Sequence, residues 1–482
     1  MSETAIAAYG ILTIAIAAIQ AFNRSEAMCR VLSWLFVGSQ VAVTIAAYQS
    51  MGEKPFGYFT IDSLGLLLMT CVTVVSAASF SHDRAYVRTE NGRDDSAVRS
   101  QFYAALTVLT AALTYSSISA DMAVTWIFIE ITTLSASALI FYRRTSRAIE
   151  ATWKYVFACS VSLVIVYIGV LFASISMGKS ATEGLSYETL TEMANELDTF
   201  WLKLSFIFVL VGYTAKLSLV PMFTAGIDAK DEAPTPAAAV LSSIVMNAGF
   251  VGFYRYYAVI AHTEVYEWAR MVVLATGLLS IFVAAVYLIR VNNIKRLFAY
   301  SSVEHIGVVM LGMAAGGIGV YAGILHLVIH TFVKSAVFLH VSQLYRVFNS
   351  KLLSNMGGYI ERCGVGGTFV IIAMLCVTAM PPSGLFMTEL MIFKSLIDVR
   401  WWVVLGVSMV ILCTIVWAIC RDMLALTFLR EKRERETSVT KEKMPVVEML
   451  WQFALIAMSI WLGLATPETV SKLIWGAAEL LK

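Results

Sequence analysis

Residues 322–341 read AGILHLVIHTFVKSAVFLHV, twenty consecutive positions with one fixed charge, Lys334. At 1.5 Å of rise per residue a helix of this length is about 30 Å long, the depth of a bilayer's hydrocarbon core. Three more apolar stretches each hold a single acid or base. Glu130 sits in MAVTWIFIEITTLSASALIFY (122–142), Lys216 in FIFVLVGYTAKLSLVPMF (206–223), and Glu389 in AMPPSGLFMTELMIF (379–393), just after a kink. A charge at mid-bilayer costs roughly 2.5–3.5 kcal/mol, so four together cost on the order of 10 kcal/mol. Charges retained at that cost mark a proton or ion path facing the protein interior.

The rest of the chain agrees. Hydrophobic residues make up 59% of the 482 positions and charged residues 14%, against about 25% charged in soluble proteins. Mean hydropathy is +0.76. The chain reads as an all-α, polytopic membrane protein, and nothing in its charge points to nucleic acid. Windows of about 20 apolar residues predict fourteen spans: 4–22, 28–49, 58–80, 100–119, 121–142, 151–175, 199–224, 237–261, 267–290, 300–317, 319–345, 364–397, 401–424 and 446–465. The first is read as a retained helix, because Glu3 rather than a basic run precedes it. Residues 467–482 suit a short amphipathic helix at the surface.

Placing both termini outside puts most of the 35 Lys and Arg on the inner side, among them Arg84, Arg88, Arg93, Arg143, Arg296, Arg346 and the basic run 430–443. Lys54, Lys179, Arg270, Arg400, Lys472 and Lys482 are left outside. That asymmetry is the positive-inside pattern. Lys230 falls with the inner loop residues. Asp62, Lys203, Arg255 and Lys394 lie near span ends, where interfacial anchoring is the expectation.

Seven cysteines offer no C-x-x-C pair, and no glycine-rich phosphate loop is present. Iron–sulfur and zinc sites need closely spaced thiolates, so no cofactor is expected in this chain. Prolines interrupt two spans. Pro221 follows Lys216, and Pro381, Pro382 and Gly384 precede Glu389. Such breaks survive in a bilayer only where protein or water satisfies the freed carbonyls. They fall in helices 7 and 12, five apart, so helices 4–8 and 9–13 are expected to form two inverted five-helix repeats. The predicted division is 1–99 for three leading helices, 100–262 and 263–425 for the repeats, and 426–482 for a basic loop and the last helices.

These segments resemble the antiporter-like subunits of respiratory complex I, of multi-subunit sodium/proton antiporters and of membrane-bound nickel–iron hydrogenases. The resemblance covers about residues 58–424. It rests on WIFIEITTLSASALI, AIEATWKY with Lys154, GYTAKLSLVPM, DEAPTPAAAVLSS, NNIKRLFAYSSVEHIGVV, HLVIHTFVKSAVF and AMPPSGLFMTELMIF in that order. The AYSSVEHIG run looks most like the F-type subunit of hydrogenase-4 and formate hydrogenlyase relatives. Two departures stand out. Relatives carry a His and a Trp-Leu-Pro-Asp run where this chain reads Phe223 to Asp228, and some carry a histidine where it has Ser242. A relay near Lys216 would then either run through water, Ser242 and Asn247 or be weakened.

Roles follow for single residues. Glu130 approaching Lys216 would hold that lysine protonated, and separating them would eject the proton. A static buried ion pair is the alternative. His326, His330 and Lys334 recur every four residues on one helix face, and histidine titrates near neutrality, so the stripe can pass protons. As a metal set these three lack a third good ligand. The resemblance makes Glu389 an exit-side carboxylate. Lys154 either tunes the Glu130–Lys216 pair or snorkels. Glu304 and His305, placed near the inner end of the tenth span, either feed protons inward or anchor a helix.

The expected function is a proton-translocating subunit of a redox complex in a prokaryotic cytoplasmic membrane. By the resemblance, nickel–iron and iron–sulfur centres would lie in peripheral partner subunits, and other membrane subunits would flank the chain. A sodium/proton exchanger subunit and a non-pumping structural anchor are the rivals.

Overall fold

The structure, a computed structural model, describes residues 3–90, 96–178, 184–429 and 444–481, with backbone alone at 83–90. The inner-side assignments of Arg84, Arg88, Arg93 and the run 430–443, and the outer-side Lys179 and Lys482, lie outside the described residues or side chains. Among the described residues the chain is helical, with three isolated β-bridges and no strand.

Six long helices come first: α1 (Glu3–Phe22), α2 (Glu26–Gln49), α3 (Ser63–Glu90), α4 (Ser96–Ile118), α5 (Met122–Ile140) and α6 (Ser146–Ser176). The short α7 (Tyr187–Glu192) precedes α8 (Thr199–Leu217), α9 (Thr224–Glu232), α10 (Thr235–Ser242) and α11 (Ile244–Ala261). Next come α12 (Tyr266–Leu288), α13 (Ile294–Ala315), α14 (Ile318–Phe348) and the single turn α15 (Tyr359–Arg362). The chain closes with α16 (Gly364–Val377), α17 (Gly384–Asp398), α18 (Trp402–Phe428), α19 (Val446–Leu464) and α20 (Glu468–Ala478). Side-chain caps start several of them. Asp121 accepts from Ala123 and Val124 at α5, Asp198 from Phe200 and Trp201 at α8, and Asn293 from Lys295 and Arg296 at α13, satisfying amide groups left free by the first turn.

Among the described residues twelve helical segments are long and apolar enough to cross a membrane, α10 and α11 together forming one. Two of the fourteen expected spans are not in that set. The Ser- and Thr-rich α4 is too polar, and the span at 364–397 is split into α16 and α17, each short. Burial sorts the helices into layers. The apolar windows of α10–α11, α13 and α14 are 100% buried, whereas those of α1, α18 and α19 are 33% buried. On α18, Val403, Val410 and Trp417 are exposed. A charge on the wholly buried helices meets protein rather than hydrocarbon, which is what makes it tolerable.

Both proline breaks are present. α8 is capped by Ser218, and Ala379 follows the end of α16 two residues before Pro381, each residue in the left-handed region (φ 56° and 47°). Freed groups find partners. Val220 N donates to Ser280 Oγ of α12 at 3.1 Å, and Ser383 Oγ to Cys376 O at 3.3 Å. A third break was not expected. The span predicted as continuous over 237–261 is interrupted at Ser243 (φ −126°, ψ −87°). Neither Gly nor Pro stands there. Ser243 Oγ instead bonds back to Ala239 O at 2.6 Å, the local competition by which serine bends helices.

The expected amphipathic tail is α20, which buries Leu473, Ile474, Ala477 and Ala478 and accepts from Tyr254 OH at Ala477 O (2.9 Å). It packs on the start of α3, on the face where Phe56 N donates to Glu3 Oε1 at 3.1 Å. Both ends of the chain therefore share one face.

Arg255 and Asp62 depart from the anchoring expectation by pairing with each other. Arg255 Nη2 donates to both Asp62 oxygens at 3.0 Å and to Ser117 O at 2.8 Å, and Arg255 is only 4% exposed. Asp62→Ala leaves that guanidinium without its counter-charge and should cost about 3 kcal/mol. In detergent melts the double variant Asp62→Ala/Arg255→Met should recover much of the loss. A single variant that melts like wild type would show the pair to be unimportant.

Candidate functional site

Glu130 and Lys216 lie on α5 and α8, but no ion pair joins them among the described contacts. Glu130 Oε1 accepts from Ser160 Oγ at 3.1 Å, and its other oxygen is buried without a described partner. Lys216 Nζ donates to Thr132 Oγ1 (3.1 Å) and Tyr155 OH (3.3 Å), both neutral. The expected direct pair is thus replaced by hydroxyls from α5 and α6. Close packing brings α11 against this lysine, since a Cβ on Gly249 would stand 2.8 Å from Lys216 Cβ. Lys154 is not brought to the pair. It is 54% exposed, bonded to Glu150 at 2.6 Å and 3.8 Å from Asp228.

α9 contributes what the sequence reading missed. One side of this short helix carries Asp228, Asp231 and Glu232, and Lys230 points the other way. The acidic side meets Arg296 (2.6 Å to Asp228, 2.9 Å to Asp231) and Lys351 (2.8 Å to Asp231, 2.6 Å to Glu232). Together with Lys154 and Asn293 they line an open cavity of about 290 Å³. Burial pushes the Asp231 carboxyl up, but Lys351, Arg296 and Lys295 outweigh it and hold it below the usual carboxylate range. Lys230 itself is 2% exposed, and its Nζ donates to Ser218 Oγ (3.0 Å) and Met246 Sδ (3.4 Å). It shares a small cavity of about 10 Å³ with Tyr155, Lys216 and Ser218, room for about one water. In sequence, DAKDEAP reads as a polar loop. The available signal was that Lys230 falls three and four residues after Ile227 and Gly226, on the apolar side of any helix drawn there.

The broken α10–α11 span joins this half to the next. Ser243 Oγ and Ser335 Oγ are 3.0 Å apart, and Asn247 Nδ2 donates to Thr331 Oγ1 at 3.0 Å. Ser242 Oγ is buried without a described partner. On α14, Lys334 is completely buried and donates only to Ser301 Oγ (2.8 Å) and Phe298 O (3.2 Å) among the described contacts.

His326 and His330 turn toward α13 and gather around His305, their ring centres 5.2 and 5.5 Å from its own. Glu304 and His305 are therefore not near the inner end of their helix. They are buried at its middle, with Glu304 Oε1 3.4 Å from His305 Nδ1. His305 Nε2 lies 3.0 Å from Val377 O and must donate, because a carbonyl only accepts. In the neutral ring that leaves His305 Nδ1, 3.2 Å from His326 Nε2, as the accepting nitrogen. His326 Nδ1 meets Thr388 Oγ1 of α17 at 2.9 Å. Neither His330 nitrogen has a partner among the described residues. Glu389, one residue on, closes the cluster. One ligand atom each of His305, His326 and Glu389 lie within 4.8 Å of one another. As they stand the two rings bond each other.

The family described as NADH:quinone oxidoreductase/Mrp antiporter, transmembrane, matches residues 119–415. A hydrogenase-4 component F homolog from Methylacidiphilum infernorum is 28% identical over 349 residues, 71% of this chain and 73% of that one. NADH-quinone oxidoreductase subunit N from Halorhodospira halophila is 24% identical over 346 residues, 71% of this chain and 69% of its own. In fold, the chain superposes with a TM-score of 0.85 and 19% identity on a chain of the membrane-bound sulfane sulfur reductase, an archaeal respiratory membrane complex, covering 100% of this chain and 98% of that one.

Proposed function

Because the chain belongs to the NADH:quinone oxidoreductase/Mrp antiporter membrane family, we propose that it carries protons as the antiporter-like subunit of a redox-driven complex. The hydrogenase-4 and complex I relatives support that assignment. One observation carries it. Titratable, hydroxyl and amide groups follow one another from Glu130 and Lys216, through Lys230, Ser243, Asn247 and Thr331, to Lys334, the histidines and Glu389. All except Glu130 are buried, and the row crosses the best-buried helices.

The groups suit protons better than sodium. Lysine and histidine hold and pass protons, whereas hard cations take oxygen ligands. Redox turnover in partner subunits holding nickel–iron and iron–sulfur centres would perturb one end of the row. Each shift of charge along it changes which neighbour holds a proton. The helices of 100–262 and 263–425 would act as two inverted halves, meeting at the Ser243–Ser335 and Asn247–Thr331 bonds. In this reading the charged mouth beside α9 faces the cytoplasm of a prokaryotic inner membrane, and both termini face outward.

The test is proton uptake into vesicles holding the purified complex, with co-purifying subunits identified by mass spectrometry. Acidification driven by hydrogen, formate or NADH turnover is expected. Proton movement that needs sodium and no redox substrate would instead indicate an exchanger, and turnover with no gradient an anchor.

A further inference from the structure

We propose that Lys230 is the proton acceptor connecting the charged mouth beside α9 to Lys216, an inference that rests on the proton-carrying function. Its geometry is unusual for a structural lysine. Nζ is buried, held by one hydroxyl and one thioether sulfur, and no carboxylate contacts it among the described residues. A buried cation held for stability is normally paired.

Lys230 and Lys216 line the same cavity of about 10 Å³, room for about one water to bridge them. Other titratable groups facing Lys230 are Tyr155 of α6 in the same cavity and, farther off, His330 and Lys334 of α14. The step is a plain proton exchange. A neutral Lys230 amine takes a proton from water in the mouth and becomes an ammonium. It returns the proton to the bridging water, which passes one on to the Lys216 amine, and no other bond changes. Two ammonium groups across so small a cavity repel, so a proton arriving on Lys230 favours release from Lys216 toward Thr132 and Tyr155 or onward to α14. α9 has a break on either side, at 218–223 and at Ala233–Pro234. A small rotation of that one short helix would therefore swing Lys230 between mouth and cavity.

The intact complex in proteoliposomes tests this with Lys230→Met, Lys230→His and Lys334→Met. Lys230→Met should slow proton uptake at least about tenfold while electron transfer and melting temperature hold, because an apolar side chain of similar size replaces a buried ion without penalty. Lys230→His should restore most of the rate and add a pH dependence near about 6.5. Uptake within twofold of wild type in Lys230→Met, with Lys334→Met inactive, would overturn the inference and leave the function standing. If both single variants pump normally, the function fails with it. Equal losses in the Met and His variants with a lowered melting temperature would make Lys230 a structural residue, which also overturns the inference.

Discussion

Vesicles carrying the Lys334→Met variant should take up protons at least about a hundredfold more slowly than wild type while the complex still assembles. Among the described residues Lys334 is the base on α14 with hydrogen bonds only to Ser301 and to the Phe298 carbonyl, both uncharged. No other described group on that helix turn titrates, so removing the amine cuts the row between the Asn247–Thr331 bridge and the histidines. Methionine is unbranched and of similar length, so packing against α13 is kept. Removing an ion that lacks a carboxylate partner leaves no orphaned anion behind. Lys334→Arg should fail as well, since a guanidinium does not give up its proton. Wild-type uptake per electron in either variant would remove Lys334 from the path.

Gly463→Val should lower the melting temperature sharply and disable proton movement as a consequence. A Cβ on Gly463 would stand 2.0 Å from Gly384 Cα and 3.0 Å from its carbonyl oxygen, while one on Gly384 would stand 2.3 Å from Ser459 O. These neighbours are backbone atoms, so no rotamer change relieves the clash. α17 and α19 must separate by more than an ångström, at a cost of about 3 kcal/mol for overpacking. Small residues at helix crossings allow this approach in membranes. The functional loss follows because α17 carries Thr388 and Glu389, and the His326–Thr388 bond of 2.9 Å depends on where α17 sits. Gly406→Ala, with nothing within 4 Å of the added atom, is the control and should melt like wild type. If Gly463→Val matches that control, the crossing is not a close one.

Several elements were readable before any tertiary contact was known. The apolar windows, the breaks at Pro221 and at Pro381–Pro382, and the costly charges at Glu130, Lys216, Lys334 and Glu389 each follow from a few adjacent residues. The break at Ser243 was not readable, because serine bends a helix only when its hydroxyl turns back on the carbonyl four residues earlier. Lys230 was assigned to a loop because its neighbours are polar. In the fold it turns inward, and the acids beside it meet Arg296 and Lys351 from elsewhere in the chain. The His326–His330–Lys334 stripe was correctly seen as helical spacing. That His305 would be its hub, and that Lys334 would meet Ser301 one turn before His305 on the same helix, depends on how α13 is rotated against α14.

Membrane insertion is a sum of transfer free energies over about 20 neighbouring residues, so the order of residues alone determined that this chain is a helical membrane protein with expensive charges inside it. Which of those charges touch is set by helix rotation, crossing distance and the close contacts that Gly249, Gly384 and Gly463 permit. Those depend on residues far apart in the chain, 193 positions for Arg255 and Asp62. Only the tertiary structure could therefore separate Glu130 from Lys216, join Arg255 to Asp62 and bring Lys230 to the centre.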